Sequence, residues 1–520
     1  MPDRSLSVAA GPVAAEQTLP SARLAAWVDR HRWWLMLAVA AVFVAAFNGQ
    51  WRIGPDSALH MTIARSLVQG EGFSYPTGYE DVVNPGLPYL IAGGFALFGV
   101  GNVLAVHVAM AVLGVASLVL VYALVRRRFD RPTAVIVMVM LAVTETFFRY
   151  SFHLLTDMPF LVGVALLLLG YEYAFSPRWA LGLVMVAAGV AVMTMFRSVA
   201  LTMMAALLVT LLMQAIGGGK RMRLLLVGAV ALAAMGLARS FDPRTATATE
   251  LIRDESRVLQ RLIAQLPDTI MHALRENLPT LLTESTAEAV FSVDFGAVVS
   301  GVLAAAVLVV AARLLAIRLL WAMIVIMFFV QWLLFLPSDR YFLPILPLLL
   351  IAWWQSALWL ERRCARRWQW AVLAAMVVLW MAPNVIRTAG FVVEQRRRPF
   401  LATYERGRYV AMKDLAGRLP SVLKDGDIVI ASQGPVLCYF SGLPVMDSKE
   451  LWRATDAEPK RVARFLSGYD NVYVLMPLKG NHQRLLKAVH VNEVRPLLES
   501  VDDGRSGGWR LCKARIKPTW

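Results

Sequence analysis

Apolar runs long enough to cross a bilayer recur through the first 386 residues, and no other feature constrains the fold as strongly. A hydrocarbon core of about 30 Å takes roughly 20 helical residues. Runs of about that size lie at 33–48, 103–125, 133–150, 158–176, 179–196, 198–216, 222–239, 294–312, 318–337, 344–360 and 369–386. In lipid every backbone polar group needs an internal partner, so these runs must be helices. With 58% of 520 residues apolar and a mean hydropathy of +0.57, against roughly 45–50% apolar in soluble domains, a soluble enzyme is excluded. The expected class is an α-helical polytopic membrane protein with about 11–13 transmembrane helices.

Lys+Arg 52 against Asp+Glu 36 gives +16, a balance that in a membrane protein marks cytoplasmic loops and not a nucleic-acid partner. The clusters Arg30 and Arg32, Arg126-Arg127-Arg128, Lys220-Arg221-Arg223, Arg313 with Arg318, and Arg362-Arg363 with Arg366-Arg367 are assigned inside. Alternating the spans from them puts 48–102, the neighbourhood of Asp157, 240–293, 338–341 and everything beyond 387 outside. The apolar segment 86–100 breaks the parity if it crosses, so it is read as a re-entrant or interfacial helix.

Three domains follow: a disordered cytoplasmic tail over 1–28, a membrane catalytic domain over 29–386 with outer loops 48–102 and 240–293, and an outer soluble α/β domain over 387–520. The last shows charged helical sequence at Tyr404 to Arg418, short β-rich runs at 427–431 and 472–476, and the turn signal Lys424-Asp425-Gly426. Cys438 and Cys512 share the oxidising outer side while Cys364 does not, so a disulfide between the first two is chemically permitted. An amphipathic helix expected over 249–274 could cover a site on that side.

Chemistry gathers at the outer ends of the spans. After Asp56, the apolar residues Leu59, Ile63, Ala64, Leu67 and Val68 recur at three- and four-residue spacing, which makes a surface-lying amphipathic helix ended by Gly70. Asp56 suits a helix N-cap, and a carboxylate held there can also act as general base toward an acceptor hydroxyl. His60, Glu80, Asp81 and Asn84 line the same loop as candidate substrate contacts. Asp157, followed by Pro159, again reads as a helix start, yet an ionisable residue at membrane depth is a functional candidate. Glu145 and Arg149, four apart, are expected to pair with each other. In Ser338-Asp339-Arg340-Tyr341, Arg340 can make bidentate contacts to a phosphate, and Arg340 with Tyr341 equally suits an interfacial belt.

In order and spacing, Pro55-Asp56 with its helix, Asn84-Pro85-Gly86-Leu87-Pro88-Tyr89, Leu154-Leu155-Thr156-Asp157-Met158-Pro159 and Asp339-Arg340-Tyr341-Phe342-Leu343-Pro344 resemble membrane glycosyltransferases of the GT-C fold, in particular the protein O-mannosyltransferase and lipid A aminoarabinose transferase group. The resemblance covers about 30–385. It implies an inverting transfer of a sugar from a polyprenyl-phosphate donor to a lipid, glycan or protein acceptor, on the outer face of a bacterial inner membrane among membrane lipids. It further implies catalytic roles for Asp56 and Asp157. Asn84-Pro85-Gly86 stands where relatives carry a charged residue before two prolines, so a divalent metal is left open and no other cofactor is called for. The competing classes are a lipid-linked glycan flippase or transporter, and a glycan ligase or polymerase of the O-antigen type.

Overall fold

In a computed structural model the described residues are 19–49, 54–77, 83–217, 221–243, 314, 318–334, 339–397, 406–447, 451, 459–477, 491–500 and 509–516. The chain resolves into two compact units, one of residues 1–48, 109–152 and 156–393, the other of 49–108, 153–155 and 394–520. The helices, in chain order, are α1 (Pro20–Ala46), α2 (Pro55–Gln69), α3 (Gly86–Phe98), α4 (Val103–Arg128), α5 (Arg131–Val143), α6 (Glu145–Tyr150), α7 (Asp157–Ala174), α8 (Trp179–Phe196), α9 (Ala200–Ile216), α10 (Arg221–Ser240), α11 (Leu319–Leu334), α12 (Leu346–Arg363), α13 (Arg366–Arg397), α14 (Arg406–Arg418), α15 (Gly434–Ser441) and α16 (Pro459–Leu466). Among the described residues α4, α7, α8, α10 and α13 are long and apolar enough to cross a membrane, and α3, α5 and α9 are shorter apolar helices.

The first unit is all helical in its described parts, and its centre is α7 against α8. Gly163 and Gly170 on α7 face Gly182 and Gly189 on α8, each pair one heptad apart. A Cβ at Gly170 would stand 2.7 Å from the Val186 nitrogen, and one at Gly189 2.6 Å from the Leu167 nitrogen. Small residues are what let helix backbones approach this closely where no hydrophobic effect drives them together. An acid near each end of α7 takes an arginine from a neighbouring element: Asp157 binds Arg197, and Glu172 receives Arg318 Nε at 2.8 Å.

The expected span 133–150 is broken. Helix α5 stops at Val143, Thr144 is extended (φ −68°, ψ 122°), and α6 restarts at Glu145. Backbone groups freed at this depth need partners, and α13 supplies them: Asn384 Oδ1 accepts from Glu145 N–H at 3.1 Å, and Thr388 donates to the Val143 carbonyl at 2.9 Å. Phe43, Phe148, Phe152 and Phe391 close over the break with ring centroids 5.0–6.3 Å apart. The Glu145–Arg149 pair forms as expected, at 3.3 Å.

Two boundaries differ from expectation. Residues 20–28, read as part of a disordered tail, are helical, because Pro20 sits in the first turn of α1 where its missing N–H costs nothing. Helix α13 runs through Pro383 and past 387 to Arg397. The apolar run 294–312 and the helix expected over 249–274 lie outside the described residues.

In the second unit α2 packs on α3, and α3 is 13 residues long. At 1.5 Å per residue that is about 20 Å, too short for a full crossing. The remainder of this unit carries a five-stranded sheet: β1 (Ile428–Ala431), β2 (Val445–Asp447), β3 (Val472–Pro477), β4 (Val491–Ser500) and β5 (Trp509–Ile516), in the order β2-β1-β3-β5-β4. β1 pairs in parallel with β2 and β3, and β5 is antiparallel to both β3 and β4. Ile428, Ile430, Met446, Val462, Leu466, Val474 and Cys512 form its core. No disulfide joins Cys438 of α15 to Cys512 of β5; Cys512 opposes Val474 across the sheet and serves as a small apolar core residue.

Candidate functional site

Candidate side chains fall into two constellations, one in each unit. In the second unit Gly54 is the N-cap of α2, Pro55 its first helical residue, and Asp56 lies within the first turn. The cap bonds are made by Ser57, whose Oγ accepts from Gly54 N–H at 3.1 Å and donates to the Gly54 carbonyl at 2.9 Å. Asp56 is therefore not the N-cap, and its carboxylate is exposed on a helix whose residues Ser57–Ala64 are all buried. An anionic side chain in a first turn is favoured by the helix dipole.

His60, one turn after Asp56, is 8% exposed, and its Nδ1 is buried without a hydrogen-bond partner. Burial pushes the imidazole down to about 4 from 6.5, against the opposing attraction of Asp56. It is a neutral ring at physiological pH. Above 6.5 folded and unfolded imidazoles are both neutral; between 6.5 and about 4 only the unfolded chain takes up the proton, so stability falls as pH falls through that window. The unfolding midpoint of His60→Gln is expected to vary less than wild type's between pH 6.5 and 4. Equal acid sensitivity in both would remove His60 as its source.

Asn84 is half-buried and directly precedes Pro85, the N-cap of α3, in the same unit as Asp56 and His60. Glu80 and Asp81 lie outside the described residues.

In the first unit the structure joins Asp157 and Tyr341 through a residue that the sequence reading did not single out. Asp157 is the first residue of α7, and Thr156 is the N-cap. At 2% exposure its carboxylate is closed off from water and accepts from Arg197 Nη1. Arg197 follows the last residue of α8, with extended backbone (φ −152°) that turns the chain toward α9. Its guanidinium lies 4.9 Å from the Tyr341 ring centroid, and that of Arg340 lies 5.0 Å from the same ring. Arg340 also donates to the Tyr341 hydroxyl at 3.1 Å. Tyr341 and Arg340 stand on the single 3-10 turn Asp339–Phe342 that leads into α12. Two guanidiniums beside one aromatic ring, one of them braced by a buried carboxylate, make a cluster of donors of the kind that binds phosphate. The sequence signal for Arg197 is a lone cation between two apolar runs, 179–196 and 198–216.

Among the described residues no three His, Cys, Asp or Glu side chains come together as a metal-ligand set.

Residues 82–238 match the family model described as dolichyl-phosphate-mannose-protein mannosyltransferase. No curated protein sequence matches the chain. The fold is similar to that of ArnT from Cupriavidus metallidurans bound to undecaprenyl phosphate, with a TM-score of 0.54 at 15% identity over 94% of this chain and 100% of that one. The apo state of the same enzyme gives 0.55 at 14% identity over 95% and 99%. AglB, the archaeal oligosaccharyltransferase from Archaeoglobus fulgidus in complex with an inhibitory peptide and a dolichol-phosphate, gives 0.58 at 14% identity over 89% and 71%. The chain is thus a multi-pass membrane protein with the GT-C fold and a C-terminal α/β region, and residues 82–238 of its membrane part carry the match to the mannosyltransferase model.

Proposed function

We propose that this GT-C membrane protein transfers a sugar from a polyprenyl-phosphate carrier to a hydroxyl or phosphate oxygen of an envelope glycan, lipid or protein, on the outer face of a bacterial inner membrane. The observation that carries the reading is the buried Asp157 carboxylate bracing Arg197 beside Tyr341 and Arg340. That array suits the phosphate of a lipid carrier, and structures of similar fold hold undecaprenyl phosphate or dolichol-phosphate.

In this scheme Asp56 accepts the proton of the acceptor hydroxyl as its oxygen attacks the anomeric carbon from the face opposite the phosphate. The bond from that carbon to the phosphate oxygen breaks, and the polyprenyl phosphate leaves with the electron pair, so the anomeric centre inverts. Arg197 and Arg340 stabilise the charge growing on the leaving phosphate, at sites aligned before reaction. Asp157 acts through Arg197, which it holds in place. His60 and Asn84 line the acceptor side, and Glu80 and Asp81 belong to the same loop.

The test is the mass profile of envelope glycans, lipids and glycoproteins from a strain lacking the gene, with and without the wild-type copy. Loss of one sugar mass, restored by the wild-type gene, is the expected result. An unchanged covalent profile with displaced lipid-linked precursors would move a flippase ahead.

A further inference from the structure

Helix α2 has 15 residues and ends in a left-handed glycine, Gly70 (φ 82°). Helices of this length are marginal by themselves, so the position of α2 must come from what it packs against. Besides α3, that is α15 of the α/β region. The guanidinium of Arg65 lies 4.5 Å from the Tyr439 ring centroid and donates to the Tyr439 backbone carbonyl at 3.3 Å. Past Gly70 and Gly72 the chain turns back, and Tyr75, 3% exposed, donates its hydroxyl to the Val445 carbonyl at 3.4 Å. Val445 belongs to the edge strand β2, which directly follows α15. Helix and return loop are therefore fastened at two points to one piece of the α/β region, residues 434–447.

We infer that Arg65, Tyr439 and Tyr75 are positioning residues, through which the C-terminal α/β region holds α2 and sets the placement of Asp56. The inference rests on Asp56 being the base. The contact fits positioning because a guanidinium that stacks and donates at once fixes orientation as well as distance, and Arg65 lies nine residues along the same rigid helix from Asp56. The region from 406 onward is then a working part of the acceptor side.

The test uses the full chain in membranes or detergent, with Arg65→Ala, Tyr439→Leu, Tyr439→Phe and the double variant Arg65→Ala/Tyr439→Leu. Arg65→Ala and Tyr439→Leu are each expected to lower kcat by about tenfold or more with little change in KM for the lipid-linked donor, since small misplacements of a reacting group cost this much. Tyr439→Phe keeps ring and carbonyl and gives up only the hydroxyl's bond to Arg65, so it should lose clearly less than Tyr439→Leu. The double variant should be no worse than the poorer single, as one shared contact is lost. Hydrogen exchange over 55–69 should quicken in both damaging singles while α12, in the other unit, keeps wild-type protection.

Wild-type kcat in Arg65→Ala, additive losses in the double variant, or unchanged exchange over 55–69 would each overturn the inference. If wild type itself transfers no sugar, the functional reading fails, and the exchange data still decide whether Arg65 holds α2.

Discussion

Replacing Asp56 with asparagine is expected to lower transfer by about 10²–10⁴-fold, the usual contribution of a positioned general base. The change keeps side-chain shape and removes the one property the scheme needs, a carboxylate able to take a proton. A structural role predicts otherwise: asparagine is as good an N-cap as aspartate, and Ser57 already supplies the cap bonds to Gly54. Asp56 is also exposed on an otherwise buried stretch of helix, so the substitution leaves no cavity. Asp56→Glu keeps the carboxylate but moves it by one methylene, and a displacement of that order is expected to cost up to about 10²-fold. Steady-state transfer with a synthetic polyprenyl-phosphate sugar measures both. Full activity in Asp56→Asn would end the base assignment.

Much of the helical frame was legible in local composition. The run at 179–196 coincides with α8, and 158–176 with α7 to within two residues, because uninterrupted apolar sequence flanked by polar residues leaves few other solutions in lipid. What local sequence hid was anything settled by distant partners. The run 133–150 is apolar enough to continue as one helix, and its break at Thr144 exists because Asn384 and Thr388, more than 200 positions later, satisfy the backbone there. The first loop and the C-terminal region look like separate domains in sequence, but residues 49–108 and 394–520 fall in one compact unit. That grouping comes from packing of α2 on α15, which includes the contact of Arg65 with Tyr439 and which no periodicity announces.

The candidate site was legible in kind more than in role. Asp56 stands out in the sequence as a candidate and as a helix cap, yet the cap bonds to Gly54 are made by Ser57. Pro55 carried the signal, because proline favours the first helical position and so moves Asp56 inside the helix. Asp157 was found as a helix start at membrane depth, but its partner was not. A single arginine at the end of an apolar run resembles the loop cations that flank spans everywhere. Only the fold brings Arg197 to Asp157 and Tyr341.

Arg197→Ala is expected to fail on two counts that can be separated. It strands the Asp157 carboxylate, 2% exposed, without its cation, and breaking a buried pair this way costs about 3–5 kcal/mol. In the proposed scheme it also removes a guanidinium from the leaving phosphate, worth roughly 10²–10³ in kcat when a preorganised donor is lost. Arg197→Met combined with Asp157→Leu removes both charges together, and such replacements are often neutral for stability. The double variant is therefore expected to regain most of the lost thermal stability while transfer stays near the Arg197→Ala level. Arg197→Lys keeps the charge but not the planar fork against the Tyr341 ring, so it should retain stability better than activity. The measurements are the unfolding midpoint, binding of undecaprenyl phosphate and kcat for each variant. Transfer returning along with stability in the double variant would make the pair a structural brace and shift the phosphate contact to Arg340 alone.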